Sequence, residues 1–254
     1  MIPQHIELVK STVPVLRENG VALTSYFYKR MLANNPELNN IFNLDSQNSG
    51  RQPRALAAAV LAYAENIENP SVLAKAIEHI TTKHVSLDIK PDQYAIVGEN
   101  LLHSISEVLD VPMESDLIAA WKVAYLQLAD ILIGVEKQKY QDLAAQNGGW
   151  TGWRAFEITA IADASDNGKI FTVRTADQQA TAQANPNAFI SVKVKVPNKG
   201  IEQPHQYTVL THTENSYQFE VKPEKNHTEY SVSNILLDHY KVGDQVQLTA
   251  PLVK

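Results

Sequence analysis

The chain has 254 residues, 44% apolar and 20% charged, with a formal net charge of −6 and no cysteine. That length suits two ordinary domains or one large one. The missing cysteine excludes disulfides, thiolate metal sites, iron–sulfur clusters and cysteine nucleophiles, and without a Lys/Arg stripe nucleic acid is not an expected partner. No basic, apolar leader precedes the first helix, and no apolar run approaches ~18 residues, so no membrane span is expected and a cytoplasmic setting is. Asn226-His227-Thr228 matches a glycosylation acceptor, a triplet too common to carry weight without secretion.

The first half has helical spacing throughout. Residues 7–19 carry Leu8, Val9, Val13 and Leu16, and Gly20 suits a break before the face of Leu23, Phe27, Tyr28, Met31 and Leu32. Pro36 opens a short helix through Phe42, and residues 43–50 read as a polar loop. Pro53 suits a first helical turn before an Ala/Leu-rich segment to Ile67. Further helices follow over residues 72–84, from Pro91-Asp92 to Val108, and over 115–145. About seven helices with short links make one all-α domain, residues 1–146.

After Asn147-Gly148-Gly149 the period changes to two. Alternating segments begin at Phe156, Phe171, Phe189, Gln206, Tyr217 and Gln245, separated by turn residues such as Asp166-Asn167-Gly168 and Val242-Gly243-Asp244. About six short strands with a helix near residues 232–239 predict a small antiparallel barrel over residues 150–254. The expected fold class is therefore α+β with two domains.

Chemistry-bearing motifs are few. There is no Walker loop, no Gly-x-Gly-x-x-Gly, no Gly-x-Ser-x-Gly elbow and no His-Glu-x-x-His. His79 and His84 are five apart and fall on different helix faces, so they are no metal pair. His84 stands at a helix end, with Tyr94 at the start of the next helix. One imidazole suffices as a protein ligand if the metal is haem iron, because the macrocycle supplies the in-plane donors. Tyr28 and Gln52 are then the polar candidates for an opposite pocket walled by Phe42 and Leu56. Each has a plainer reading: Tyr28 as a packing residue, Gln52 as a partner for orphan helix-start N–H groups.

The first half resembles the globin domain of flavohaemoglobins along its length, in Asn35-Pro36-Glu37-Leu38, Ile41-Phe42-Asn43, Tyr63-Ala64-Glu65-Asn66-Ile67-Glu68-Asn69, residues 89–99 and Ala119-Ala120-Trp121-Lys122-Val123-Ala124-Tyr125. The resemblance implies haem b held by His84 as proximal iron ligand, with Tyr94 and Glu136 polarising it. It implies Tyr28 as the distal donor to bound oxygen with Gln52 beside it, Phe42 against the haem and Leu56 as distal wall. A histidine whose other nitrogen donates towards Glu136 pushes electron density to the metal, which suits catalysis more than storage. The plain alternative for Glu136 is a surface carboxylate beside Lys137 and Lys139.

In that family a flavin-binding, ferredoxin-reductase-type barrel and a nicotinamide module follow. Gly148-Gly149-Trp150, Gly152-Trp153-Arg154-Ala155-Phe156 and Val242-Gly243-Asp244 look like parts of that barrel. The family's Arg-x-Tyr-Ser/Thr segment falls on His205-Gln206-Tyr207-Thr208, so Tyr207 and Thr208 are the flavin-binding candidates while the phosphate-binding arginine is a histidine. Phe189 lacks the expected hydroxyl, and Tyr230 stands where a glycine would let a pyrophosphate approach. Tight FAD binding is therefore not expected. With the sequence stopping at Ala250-Pro251-Leu252-Val253-Lys254, neither is an NAD(P)H site.

The function implied is a haem- and oxygen-binding globin acting as a nitric oxide dioxygenase, making nitrate from nitric oxide and O2 with electrons from an external reductase. The alternative is a haem-based sensor or scavenger of nitric oxide or oxygen, with the barrel as a docking module.

Overall fold

The computed structural model describes residues 1–225 and 228–253, so the Asn226 of the glycosylation-type triplet lies outside the described residues. Seven helices come first: α1 (Pro3–Ser11), α2 (Val13–Asn34), α3 (Leu44–Asn48), α4 (Arg51–Glu65), α5 (Ala74–Val85), α6 (Gln93–Leu109) and α7 (Asp116–Ala145). Then come β1 (Arg154–Asp163), β2 (Lys169–Thr175), β3 (Ala188–Lys195), β4 (Glu202–Thr213), β5 (Ser216–Val221), α8 (Val232–His239), β6 (Gln245–Leu248) and β7 (Leu252–Val253). The chain is thus a helical domain followed by a barrel, the expected fold class. Two compact units emerge from the contacts: Met1–Glu37, Ser46–Thr81 and Lys90–Val135 form one, and Leu38–Asp45, Thr82–Ile89 and Glu136–Lys254 form the other.

In the first unit, α2 runs unbroken through Gly20, where the sequence suggested a break. The break falls instead at Thr12, whose hydroxyl folds back onto the Val9 carbonyl at 2.6 Å. Gly20 serves close approach: a Cβ there would sit 3.4 Å from that of Ala57, so α2 and α4 pack backbone to backbone. The Thr24 hydroxyl reinforces this crossing with a 2.7 Å bond to the Pro53 carbonyl. Leu23, Phe27, Met31, Val60, Ala64, Ile105 and Trp121 fill the core. Tyr63 donates to the Ala124 carbonyl at 3.0 Å, satisfying the one polar atom that this buried ring carries. Helix α7, unlike any uninterrupted apolar run in the sequence, is long and apolar enough to cross a membrane. It buries Ile118, Trp121, Ala124 and Leu132 in this core, as an amphipathic helix does.

In the second unit the strands pair antiparallel in the order β4-β5-β2-β1-β6-β3, and β3 pairs with β4 to close the ring. The alternation read from the sequence points Phe156, Ile158, Phe171, Val173, Tyr217, Phe219 and Val246 inward. Val232, Ile235 and Leu236 of α8 join the same cluster. Each such side chain contributes roughly 1.5–3 kcal/mol by burial. The seventh strand, β7, was not legible in the sequence: two residues are too short for an alternation, and its pairing with Ala188 and Phe189 of β3 defines it. Helix α3 likewise replaces part of the expected polar loop, since its five polar-rich residues present no apolar stripe.

The tightest packing point of the helical core is Gly98 on α6, where a Cβ would collide with the ring of Tyr125. Tyr125 cannot yield freely, because its hydroxyl donates to the Tyr94 carbonyl at 2.6 Å. Gly98→Ala is expected to cost about 1–3 kcal/mol by overpacking. Urea denaturation should show a lower midpoint with an unchanged slope.

Candidate functional site

His84 sits in the last turn of α5, where the helix leaves its carbonyls without partners inside the helix. The turn is completed locally: the His84 carbonyl accepts the Leu87 N–H at 3.0 Å and the Ile89 N–H at 3.1 Å. Val85, Leu87 and Ile89 are buried and anchor the segment. The His84 ring lies 2.7 Å by its Nδ1 from Oε1 of Glu136, on α7. The Glu136 side chain is 4% exposed and that of His84 30%. Glu136 is thus no surface carboxylate, although Lys137 beside it is exposed. In the neutral ring, an Nδ1–H donated to this carboxylate leaves Nε2 as the acceptor nitrogen. Arrangements of this kind fix one tautomer and raise the basicity of the outward nitrogen. Tyr140 adds to this wall by donating to the Ile89 carbonyl at 2.8 Å. Burial first, then the charges of Asp88 and Glu136, push its phenol well above the usual tyrosine range.

Phe42 belongs to this same unit. Its backbone is fixed by a turn bond to the Leu38 carbonyl at 3.1 Å. Its own carbonyl accepts from Gln203 Nε2 at 3.3 Å.

A second polar group forms in the helical unit. Tyr28 on α2 is 6% exposed, with its ring edge-on to Phe27 at 4.9 Å. Gln52, in the first turn of α4, donates through Nε2 to the Tyr28 hydroxyl at 3.3 Å. Leu56 lies one helical turn further on, on the same face of α4 as Gln52. Burial pushes the Tyr28 phenol up to about 12, and hydrogen bonding from Gln52 and Gln47 holds it from going higher. The Gln47 amide reaches that hydroxyl only at a poor angle or distance: both of its polar atoms are buried and neither makes a sound hydrogen bond. Gln47 carries no sequence signal of its own, since it lies within the polar stretch of residues 43–50.

Tyr94 opens α6 and is 8% exposed. Tyr94 belongs to the helical unit, with Tyr28, Gln52 and Leu56; His84, Glu136 and Phe42 belong to the barrel unit.

The barrel candidates do not share a face. Tyr207 points into the core, with its hydroxyl 3.0 Å from Ser233 Oγ on α8, and burial raises its phenol strongly. Thr208, the next residue on β4, is exposed. The His205 ring lies 4.9 Å from that of Tyr207, Phe189 is buried, and Tyr230 packs at the edge of the core cluster.

Among the described residues there is no cluster of three or more His, Cys, Asp or Glu that could hold a metal by itself. A single oriented imidazole fits an iron whose other in-plane donors belong to a porphyrin, and the phenol with two amides fits a polar diatomic ligand. The residues present therefore suit haem.

The globin family model matches residues 25–132. A flavohemoprotein from Bordetella pertussis is 45% identical over 251 residues, covering 98% of this chain and 62% of its own length. The chain thus spans less than two thirds of that relative, and the expectations of weak FAD binding and of no nicotinamide site find no support there. The solved flavohemoglobin of Malassezia yamatoensis, described with bound FAD and heme, shares the fold at a TM-score of 0.88 and 24% identity, over 100% of this chain and 64% of its own. An engineered carbene transferase, from a Rhodothermus marinus protein described as a candidate nitric oxide dioxygenase, is 36% identical. It aligns over 57% of this chain and 99% of its own, at a TM-score of 0.53.

Tyr28 should remain a neutral donor far into the alkaline range. Its folded pKa of about 12 exceeds the ordinary 10.0, so its contribution to stability is complete below the unfolded value and is lost as pH rises through the folded one. Tyr28→Phe is expected to remove one high-pH step from an ultraviolet tyrosinate titration and to flatten the loss of stability in that window.

Proposed function

The chain belongs to the flavohaemoprotein branch of the globin family, and from that premise we propose that this haem-binding globin converts nitric oxide and O2 to nitrate. His84 is the iron ligand in this reading. Haem b, when bound, supplies the iron centre at which O2 and nitric oxide react.

The protein's own groups do the rest. Glu136 accepts the His84 Nδ1 proton, fixes the ring and places negative charge behind Nε2, which strengthens it as an electron donor. Tyr94 belongs to the same polarising set. Tyr28 keeps its proton and donates its O–H to negative charge developing on the reacting oxygen. Gln52 restricts the rotation of that phenol, so the donor is already aimed when charge appears. Phe42 and Leu56 supply apolar contact and keep water from competing for the donors. The electron consumed in each turnover comes, in this reading, from a reduced flavin on the barrel side or from a separate reductase. A cytoplasmic setting suits such a partner.

The observation that supports catalysis over oxygen storage is the 2.7 Å contact of His84 with a nearly buried carboxylate. A carrier has no use for an electron-rich iron ligand.

Three measurements on the full chain test the reading. The purified protein supplied with hemin should develop a Soret band that His84→Ala abolishes or displaces; a protein that stays colourless overturns the proposal. Oxygenated protein mixed with nitric oxide should give nitrate, repeatedly when a reductant is present. A single turnover with no return to the ferrous state under any reductant would instead fit a scavenger or sensor. Tyr28→Phe should slow nitrate formation ~10–100-fold, the weight of one charge-assisted hydrogen bond of about 1.5–3 kcal/mol.

A further inference from the structure

Strand β4 reaches the turn that carries His84 through one side chain. Gln206 lies between His205 and Tyr207 and pairs in register with Ser191 of β3. Its Nε2 donates to Ser86 Oγ at 2.6 Å. Ser86 is fully buried, its N–H donates to the Thr82 carbonyl at 3.0 Å, and its hydroxyl donates to the Lys83 carbonyl at 2.7 Å. The Ser86 oxygen therefore accepts from Gln206 and donates to Lys83 at once, and each bond polarises the other. The chain of bonds ends on the peptide unit joining Lys83 to His84, in the last turn of α5.

We propose that Gln206 is a positioning residue for His84: through Ser86 it fixes the last turn of α5 and so sets the direction in which Nε2 is presented. The inference rests on His84 being the iron ligand. Glu136 fixes the ring about its far nitrogen, and the Gln206–Ser86 relay fixes the backbone from which the ring extends. Neither constraint replaces the other. The relay also makes the proximal ligand responsive to β4, the strand that carries Tyr207 and Thr208, so a change on that strand is felt at the iron.

The test uses the full chain loaded with hemin and reduced, read by the iron–histidine stretching band in resonance Raman and by the ferric/ferrous midpoint potential. Gln206→Leu and Ser86→Ala are each expected to lower the band frequency and shift the potential. The double variant should do no more than either single one, because the two residues act as one link. Gln206→Glu keeps the shape but replaces the donating amide with an acceptor, and is expected to behave as Gln206→Leu. A band and potential that stay at the parent values in Gln206→Leu, even with lowered stability, overturn the proposal, as do single effects that add. A parent protein with no iron–histidine band at all overturns the assignment of His84 itself, and this inference with it.

Discussion

The hydrogen bond between His84 and Glu136 is the constraint on which the chemistry rests. At 2.7 Å, with the carboxylate almost wholly removed from water, it anchors the imidazole by its Nδ1. A buried carboxylate needs a partner, and the histidine is that partner. The same geometry that satisfies the electrostatics of α7 thus orients the imidazole on which the proposed iron ligation depends. The turn bonds at the end of α5, the buried apolar residues that follow, and the Tyr140 bond to Ile89 all hold the backbone on which this pair depends.

Away from that pair, the polar chemistry is organised by glutamines. Gln52 restricts the Tyr28 phenol, and Gln47 is buried near it with unmet hydrogen-bonding capacity. Gln206 ties a strand to the turn beyond His84. The primary amide donates and accepts without titrating, so these contacts keep their sense across pH. Burial moves the phenols of Tyr28 and Tyr207 upward, away from physiological pH.

Much of this was legible in the residues. Helical spacing gave the first half, strict alternation gave the barrel, and segments at residues 35–43, 63–69, 89–99 and 119–125 carried a family resemblance that implied roles for His84, Tyr28 and Glu136. What escaped had physical reasons. Gly20 reads as a breaker in one dimension, and only the approach of α4 makes it a packing residue. Strand β4 begins at Glu202, four residues before its recognisable alternation, because Gln203 and Pro204 are buried against the expectation for their types. Tyr207 and Thr208 were read together as flavin contacts. The pleat sends one into the core and leaves the other exposed, since neighbours on a strand face opposite ways. Hydrogen-bonding amides leave no periodic trace, so the roles of Gln47, Gln203 and Gln206 could not be found without coordinates.

Gln203 has an effect of a different kind. Fully buried, it donates to the Asn39 and Phe42 carbonyls and accepts the Leu44 N–H, while the Pro204 carbonyl accepts from Asn43 and the Glu202 N–H donates to Asn40. The Gln203 side chain grips main-chain atoms, which every amino acid supplies alike. Such a grip measures spacing rather than identity. Side chains within residues 39–44 that make no contact of their own are free to drift over evolutionary time, while an inserted or deleted residue would slide the backbone out of its clamp. The length of this segment should therefore stay constant.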